Sequence, residues 1–332
     1  MATTIKDIAR VAGVSPSTVS RILSNKQTLY SGYATETITR VKQIAEDLNY
    51  RKNRSAIELV TKTSQVLGII LSATPTNFAQ EIISGIQKEA SLHHMDTIIA
   101  YAGEDDDALQ LQALKTISER SVKGILLLGI TLSPTNEHFL RSADIPYIFL
   151  SVAQSEPDLH FIASNDFDIG YQATQYLINH GHHDIAFVGA NLESCVGHLR
   201  LDGYRQALKE HHITYHDDYV IGGNWLYVDG VHAVNILQTQ INLTAILAGS
   251  DLVAAGVMNR ARQLNRVIHS DLSVMGIDGT QLCDVIYPQL TSIKQSFYEM
   301  GVQGTKQIIE KTHIESAYTS ISIKDGASVT TH

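Results

Sequence analysis

The sequence predicts an all-α helix-turn-helix head followed by an α/β body of two doubly wound, parallel-sheet lobes. Three observations predict it. The first fifty residues hold short helix-period patterns bounded by capping and stop residues. From Val66 onward, short apolar runs alternate with amphipathic stretches. The charge divides along the same line: residues 1–62 hold ten Lys/Arg against five Asp/Glu, a balance of +5, which leaves −14 for the rest of a chain whose total is −9. A basic head on an acidic body points to a head that meets a polyanion and a body with another task. At 332 residues, two or three domains are expected.

The first helix reads from Ile5, Ile8, Ala9 and Ala12, which make one apolar stripe. Thr4 caps it with Asp7 in the first turn, and Gly13 ends it by turning left-handed. Ser15 caps a second helix, with Pro16 at its first position where a missing N–H costs nothing. Val19, Ile22 and Leu23 point inward; Ser17, Arg21 and Ser24 point outward, flanked by Thr18 and Ser20. A third helix spans Glu36 to Leu48, with Ile38, Val41, Ile44, Ala45 and Leu48 inward.

Two helices joined at a glycine turn, plus a packing helix, make a helix-turn-helix. An outer face of small hydroxyl side chains sinks into a DNA major groove, where Ser and Thr bond bases or phosphates and Arg bonds guanine. The competing reading of the composition is a small helical cap with a solvated face; the charge asymmetry favours DNA.

In the body the runs VLGIILS, DTIIAYA, GILLLG, YIFLS, DIAFVGA, AILAGS and SVMGID are strands, separated by helical patterns such as FAQEIISGIQKEASLHH. A break near FIASNDFDIG (Phe161–Gly170) divides them into two similar halves. Two lobes with a ligand cleft between them follow, because ligands bind at strand C-terminal ends. TSIKQS (Thr291–Ser296) and SISIKDG (Ser320–Gly326) are expected as late strands that cross between the lobes.

The segment TIKDIARVAGVSPSTVSRIL, near the N-terminus, strongly resembles the head of the lac-repressor (LacI/GalR-type) family of bacterial transcription regulators. NHGHHDIAFVGA, RLDGY (Arg200–Tyr204), SDLVAAG (Ser250–Gly256), DLSVMGIDG (Asp271–Gly279) and YPQLTSIKQSFYEMG (Tyr287–Gly301) resemble stretches of the same family's periplasmic-binding-protein-like body, so the resemblance covers essentially the whole chain. It implies a helix-turn-helix domain over residues 1–50, a hinge over 51–64 and an effector-binding and dimerisation domain over 65–332. The N-lobe would take 65–164 and 293–319, and the C-lobe 165–292 and 320–332.

The resemblance also implies roles. Pro16, Ser17 and Arg21 would hold the base-reading positions, with Thr4, Ser15, Thr18, Ser20 and Ser24 in backbone or flanking contacts. In the hinge, Asn53 would cap a short helix formed on DNA and Arg54 would help neutralise phosphates. Ala56 and Leu59 would face the symmetry mate and the minor groove, Leu59 as the wedge that kinks the site. The alternative is a plain linker with a surface leucine. In the cleft, Arg200 would donate to ligand hydroxyls or a carboxylate and Asp278 would accept from hydroxyls. Trp225, the only tryptophan, would stack on a sugar ring while Phe78 and Phe297 close other sides. Ser151, Ser194 and Ser250 complete the expected lining. A structural salt bridge is the competing role for Arg200, and core filling for Trp225.

The chain departs from the family's pattern in places. The loop from Asn25 to Thr37 is about four residues longer than usual, and its Tyr30 and Tyr33 either reach phosphates or pack. Lys52 stands where the family often has proline, Ser151 where it often has an acid and Ser250 where it often has an amide. The last two losses remove polar selectivity that some sugar binders use.

The expected partners are therefore double-stranded operator DNA, a small-molecule effector that is a sugar or its derivative, and a second copy of the chain, as a dimer or a tetramer built from it. The alternatives are a regulator of the same fold with a protein or non-sugar corepressor, and a cytoplasmic small-molecule binding protein. No cofactor, metal or membrane partner is expected. His180, His182 and His183 lack ordered metal-ligand spacing and read as a surface turn. No Gly-rich phosphate loop, G-x-S-x-G elbow or nucleophile–base pairing is present, so an enzyme is not expected. Cys195 and Cys283 lie far apart and the N-terminus lacks an apolar core, which suits two reduced thiols in the cytoplasm.

Overall fold

Helix α1 (Ile5–Ala12) begins at a reciprocal cap: the Thr4 hydroxyl accepts from the Asp7 N–H, and the Asp7 carboxylate accepts from the Thr4 N–H at 3.0 Å. Gly13, at φ +67°, ends it. Helix α2 (Pro16–Ile22) starts from Ser15, whose Oγ accepts from the Thr18 N–H at 3.1 Å. Helix α3 (Thr35–Asp47) packs on both, burying Val41 and Ala45 against Ile8, Ala9, Ala12, Val19 and Ile22. Leu48, expected inward, is exposed instead, because it lies beyond the last turn of α3 as its C-cap.

The computed structural model describes residues 3–24, 32–50, 64–72, 77–103, 106–240, 243–310 and 314–332. The chain divides into two units, Met1–Thr63 and Ser64–His332. The expected hinge residues Asn53, Arg54, Ala56 and Leu59, and Tyr30 of the long loop, lie outside the described residues.

The body alternates strand and helix. Its first lobe contains β1 (Val66–Leu71), α4 (Ala79–Leu92), β2 (Asp96–Tyr101), α5 (Asp107–Ser118), β3 (Gly124–Leu128), α6 (Pro134–Ser142), β4 (Tyr147–Leu150) and β5 (Phe161–Ala163). The second contains α7 (Asp166–Asn179), β6 (Ile185–Val188), α8 (Cys195–Glu210), β7 (Val220–Ile221), α9 (Tyr227–Leu237), β8 (Ala245–Ala248), α10 (Asp251–Gln263), β9 (Ser273–Asp278), α11 (Leu282–Val285) and β10 (Thr291–Gln295). The chain then returns as α12 (Phe297–Glu310) and β11 (Ala317–Tyr318) to the first lobe, and ends through β12 (Ile321–Lys324) in the second.

The sheet orders are β11-β5-β4-β3-β1-β2 and β12-β10-β9-β8-β6-β7. All pairings are parallel except β10 with β12. Each sheet is covered on both faces, so its central strands are apolar throughout. In β1, Leu67, Ile69 and Leu71 join one core with Ile82, Ile86 and Met300, while Ile70 joins the opposite core with Leu114 and Ile117.

Two expectations change. β10 and β12 do not cross between the lobes but pair with each other in the second sheet. The boundary expected at residue 293 therefore moves: β10 stays bonded to β9 through Lys294, and the crossing follows Gln295. The segment read as a break at Phe161 is partly strand, since β5 extends the first sheet.

His182 is buried rather than part of a surface turn. Its Nδ1 lies 3.0 Å from the Thr244 hydroxyl and its Nε2 3.0 Å from the Thr330 carbonyl, which ties residues near the C-terminus to the second sheet. Burial pulls its pKa down to about 4, so it is neutral near pH 7. Among the described residues no cluster of three metal-ligating side chains occurs.

Candidate functional site

The outward face of α2 carries Pro16, Ser17, Ser20 and Arg21 exposed, with Thr18 and Ser24 half-buried. Thr4 is also exposed, at the start of α1. The Ser15 hydroxyl, besides capping α2, lies 2.7 Å from Ser17 Oγ and 2.9 Å from Thr18 Oγ1. The Ser24 hydroxyl donates to the Arg21 carbonyl at 2.6 Å. This face is small-chained and neutral except for one guanidinium.

A cavity of about 250 Å³ opens between the two sheets of the body. All eight residues expected in the cleft line it: Phe78, Ser151, Ser194, Arg200, Trp225, Ser250, Asp278 and Phe297. The strands explain the convergence. Ser151 follows β4, Ser250 follows β8, and Asp278 ends β9, so the sheets aim their C-terminal ends at one space. Ser151, Trp225 and Asp278 have φ of +66°, +67° and +116°, conformations that L residues adopt rarely and at a cost of about 1–3 kcal/mol.

The second lobe sets the polar end. Arg200 Nε donates to Asp166 Oδ1 at 2.8 Å and Nη1 donates to the Gly249 carbonyl at 2.9 Å. Its guanidinium lies over the Trp225 ring, 5.2 Å from the centroid. The salt bridge expected as the competing role for Arg200 is therefore present, and the side chain also lines the cavity. Close helix packing makes this possible. A Cβ on Gly170 of α7 would overlap the Arg200 carbonyl, and one on Gly203 of α8 would overlap the Phe167 carbonyl, so only glycine lets the helices meet at this depth.

Gln295, buried at the end of β10, donates Nε2 to Asp278 Oδ1 at 2.9 Å. Burial pushes the Asp278 carboxyl well above the usual carboxylate range; nearby Asp251 adds to the rise and Arg200 opposes it. Asp251 is itself held by Ser292 at 2.6 Å and by the Thr280 N–H and hydroxyl at 2.7 and 2.8 Å. At the apolar end Phe78 and Phe297 stack with centroids 5.1 Å apart.

The three serines differ. Ser194 caps α8, accepting from the Gly197 N–H and donating to the Asn191 carbonyl. Ser250 caps α10, accepting from the Val253 N–H and donating to the Trp225 carbonyl. With the proton of each committed, both present only a lone pair to the cavity. The Ser151 hydroxyl makes no hydrogen bond among the described residues. Sequence reasoning missed Gln295, Asn191 and Asn224, which also line the cavity. Asn191 and Asn224 each stand shortly after a strand end, a position that could have signalled them.

A family model described as periplasmic binding proteins and sugar binding domain of the LacI family matches residues 64–324, and one described as bacterial regulatory proteins, lacI family, matches residues 4–53. The chain belongs to the LacI family. It is similar over 97% of its length to catabolite control protein A of Priestia megaterium, at 28% identity and 96% of that protein. The ribose operon repressor of Escherichia coli is 30% identical over 93% of this chain and 92% of its own. A transcription regulator from Lactobacillus plantarum has a solved structure that matches 80% of this chain and 100% of that one, at 37% identity and a TM-score of 0.74. The lac repressor dimer bound to operator and the anti-inducer ONPF shares the fold, at 23% identity over 99% of this chain and 100% of that one, with a TM-score of 0.87. This LacI-family chain is a sequence-specific DNA-binding transcription regulator. Among its described residues no helix is long and apolar enough to cross a membrane.

Proposed function

We propose that this LacI-family chain is a cytoplasmic, non-enzymatic repressor that acts as a homodimer and responds to a sugar or sugar derivative bound between its lobes. The observation that carries the proposal is the meeting of Arg200, Trp225 and Asp278 around one interlobe cavity. An indole beside hydrogen-bonding groups of both polarities suits a polyhydroxylated ring with an apolar face. Arg200 donates from its remaining N–H groups, Asp278 bonds hydroxyls, and Ser194 and Ser250 accept. Phe78, Phe297 and Ser151 line the first-lobe side.

Pro16, Ser17 and Arg21 read bases, while Thr4, Ser15, Thr18, Ser20 and Ser24 hold the backbone or flank the contacts. For the hinge, Asn53, Arg54, Ala56 and Leu59 keep the roles that the family resemblance implies. Pairing through the bodies presents two heads to a pseudo-palindromic operator. Exposed Ile99 and Tyr101 on the edge strand β2 offer apolar surface for that pairing. An effector that prefers one arrangement of the lobes shifts operator affinity by that difference in preference.

Thermal-shift screening with sugars, sugar phosphates and nucleobases tests the ligand class. The proposal expects a sugar or sugar phosphate to raise the melting temperature; a response confined to nucleobases contradicts it. A gel shift with genomic fragments tests the DNA reading, which fails if no fragment is preferred over bulk DNA at physiological salt.

A further inference from the structure

We infer that Tyr33 is a positioning residue for DNA reading, its hydroxyl holding the Arg21 guanidinium in place on the outward face of α2. The inference rests on the base-reading role proposed for Arg21. Tyr33 stands on the long connection between α2 and α3, immediately before Ala34, the N-cap of α3. Its ring is half-buried against the head core, alongside Leu23 and Ile38. From that anchored base the phenol oxygen accepts a long hydrogen bond, 3.5 Å, from Arg21 Nη1.

Thr18, one turn before Arg21, keeps its hydroxyl 2.9 Å from that of Ser15. The Arg21 guanidinium, and to a lesser degree Thr18, draw the Tyr33 pKa below the ordinary tyrosine value. Among the described residues no carboxylate forms an ion pair with Arg21, so Tyr33 is the group that orients it. Hydroxyl contacts link Ser17, Ser15 and Thr18 on the reading face, and Arg21 is tied separately to Tyr33.

The arrangement suits recognition. Arginine is long and has many rotamers; a tyrosine ring set in a core has few. Fixing the guanidinium before DNA arrives lowers the ordering cost of binding. A guanidinium carries five N–H groups, and the one given to Tyr33 leaves the Nε and Nη2 fork for guanine O6 and N7.

The test uses the full-length protein and duplexes with a randomised core, sequenced after selection, followed by anisotropy on the best duplex. Four proteins are compared: parent, Tyr33→Phe, Arg21→Ala and the double variant. Tyr33→Phe keeps the ring and removes the hydroxyl. It is expected to flatten base preference at the position that Arg21→Ala also flattens, and to weaken the selected duplex roughly 3- to 10-fold. The double variant is expected to match Arg21→Ala.

An unchanged Tyr33→Phe profile beside a flattened Arg21→Ala profile overturns the inference alone. So does an equal loss from Tyr33→Phe in both backgrounds, which would mean that Tyr33 acts without Arg21. An unchanged Arg21→Ala profile instead removes the base-reading role beneath it. If Tyr33→Phe lowers the melting temperature of the head, side-chain NMR of Arg21 in parent protein without DNA decides. A guanidinium that averages as freely as an unpaired arginine in solution would contradict the inference, and a restricted one supports it.

Discussion

Arg200 and Asp166 form an ion pair that solvent scarcely reaches, with Nε 2.8 Å from Oδ1 and both side chains less than a tenth exposed. Burial raises the Asp166 pKa and the guanidinium opposes the rise. Such a pair is a poor source of net stability, but removing one member leaves the other charged, buried and alone. Its position is what matters: it fixes the guanidinium between the Gly249 carbonyl and the Trp225 ring, at the wall of the cavity.

Asp166→Ala is therefore expected to destabilise the body by about 3–5 kcal/mol, read by urea unfolding. Asp166→Asn keeps an acceptor for Nε and should lose less. Equal stability for Asp166→Ala and the parent would show that water reaches the pair.

Gly203→Ala tests the helix contact that sets the depth of Arg200. Its methyl would meet the Phe167 carbonyl, a backbone group that cannot rotate away. Overpacking of this kind costs about 1–3 kcal/mol. The same separation of α7 from α8 would shift Arg200 and weaken ligand binding, measured by titration on folded variant protein.

Asp278 gives a pH prediction. Its folded-state pKa is raised, chiefly by burial, so the folded protein disfavours the charged form. The associated stability is present at low pH and is lost as pH rises through the folded-state pKa. Asp278→Asn removes this dependence. The melting temperature of the variant relative to the parent should therefore rise with pH above the ordinary carboxylate range, while its response to effector falls. A constant difference across that range would place the charged carboxylate in a well-solvated site.

The head and the cleft residues were legible for different reasons. Ser15, Pro16 and Gly13 announce helix ends through local chemistry, which needs no distant partner. Strand runs such as GILLL announce themselves by being apolar on both faces. What the sequence hid depends on long-range contacts. Nothing local to SISIK says that it pairs with Thr291–Gln295 rather than crossing between lobes. Nothing local to Arg200 names Asp166, thirty-four positions away, as its partner. Ser194 and Ser250 were visible as cleft residues, but their donor protons are taken by the Asn191 and Trp225 carbonyls. The left-handed backbone at Ser151, Trp225 and Asp278 was invisible, because the usual marker for it is glycine. His182 looked like one of three surface histidines until Thr330 was found to cover it.

An occupant of the cleft is expected to govern how the head holds DNA. Operator affinity of the parent and of Trp225→Ala, each titrated with and without the sugar or sugar phosphate that gives the largest thermal shift, tests it most directly. Saturating ligand is expected to change parental affinity about 5- to 150-fold. Trp225→Ala is expected to keep its affinity without ligand and to show a dose–response displaced at least about tenfold. Parental affinity that stays the same at saturating ligand would contradict it.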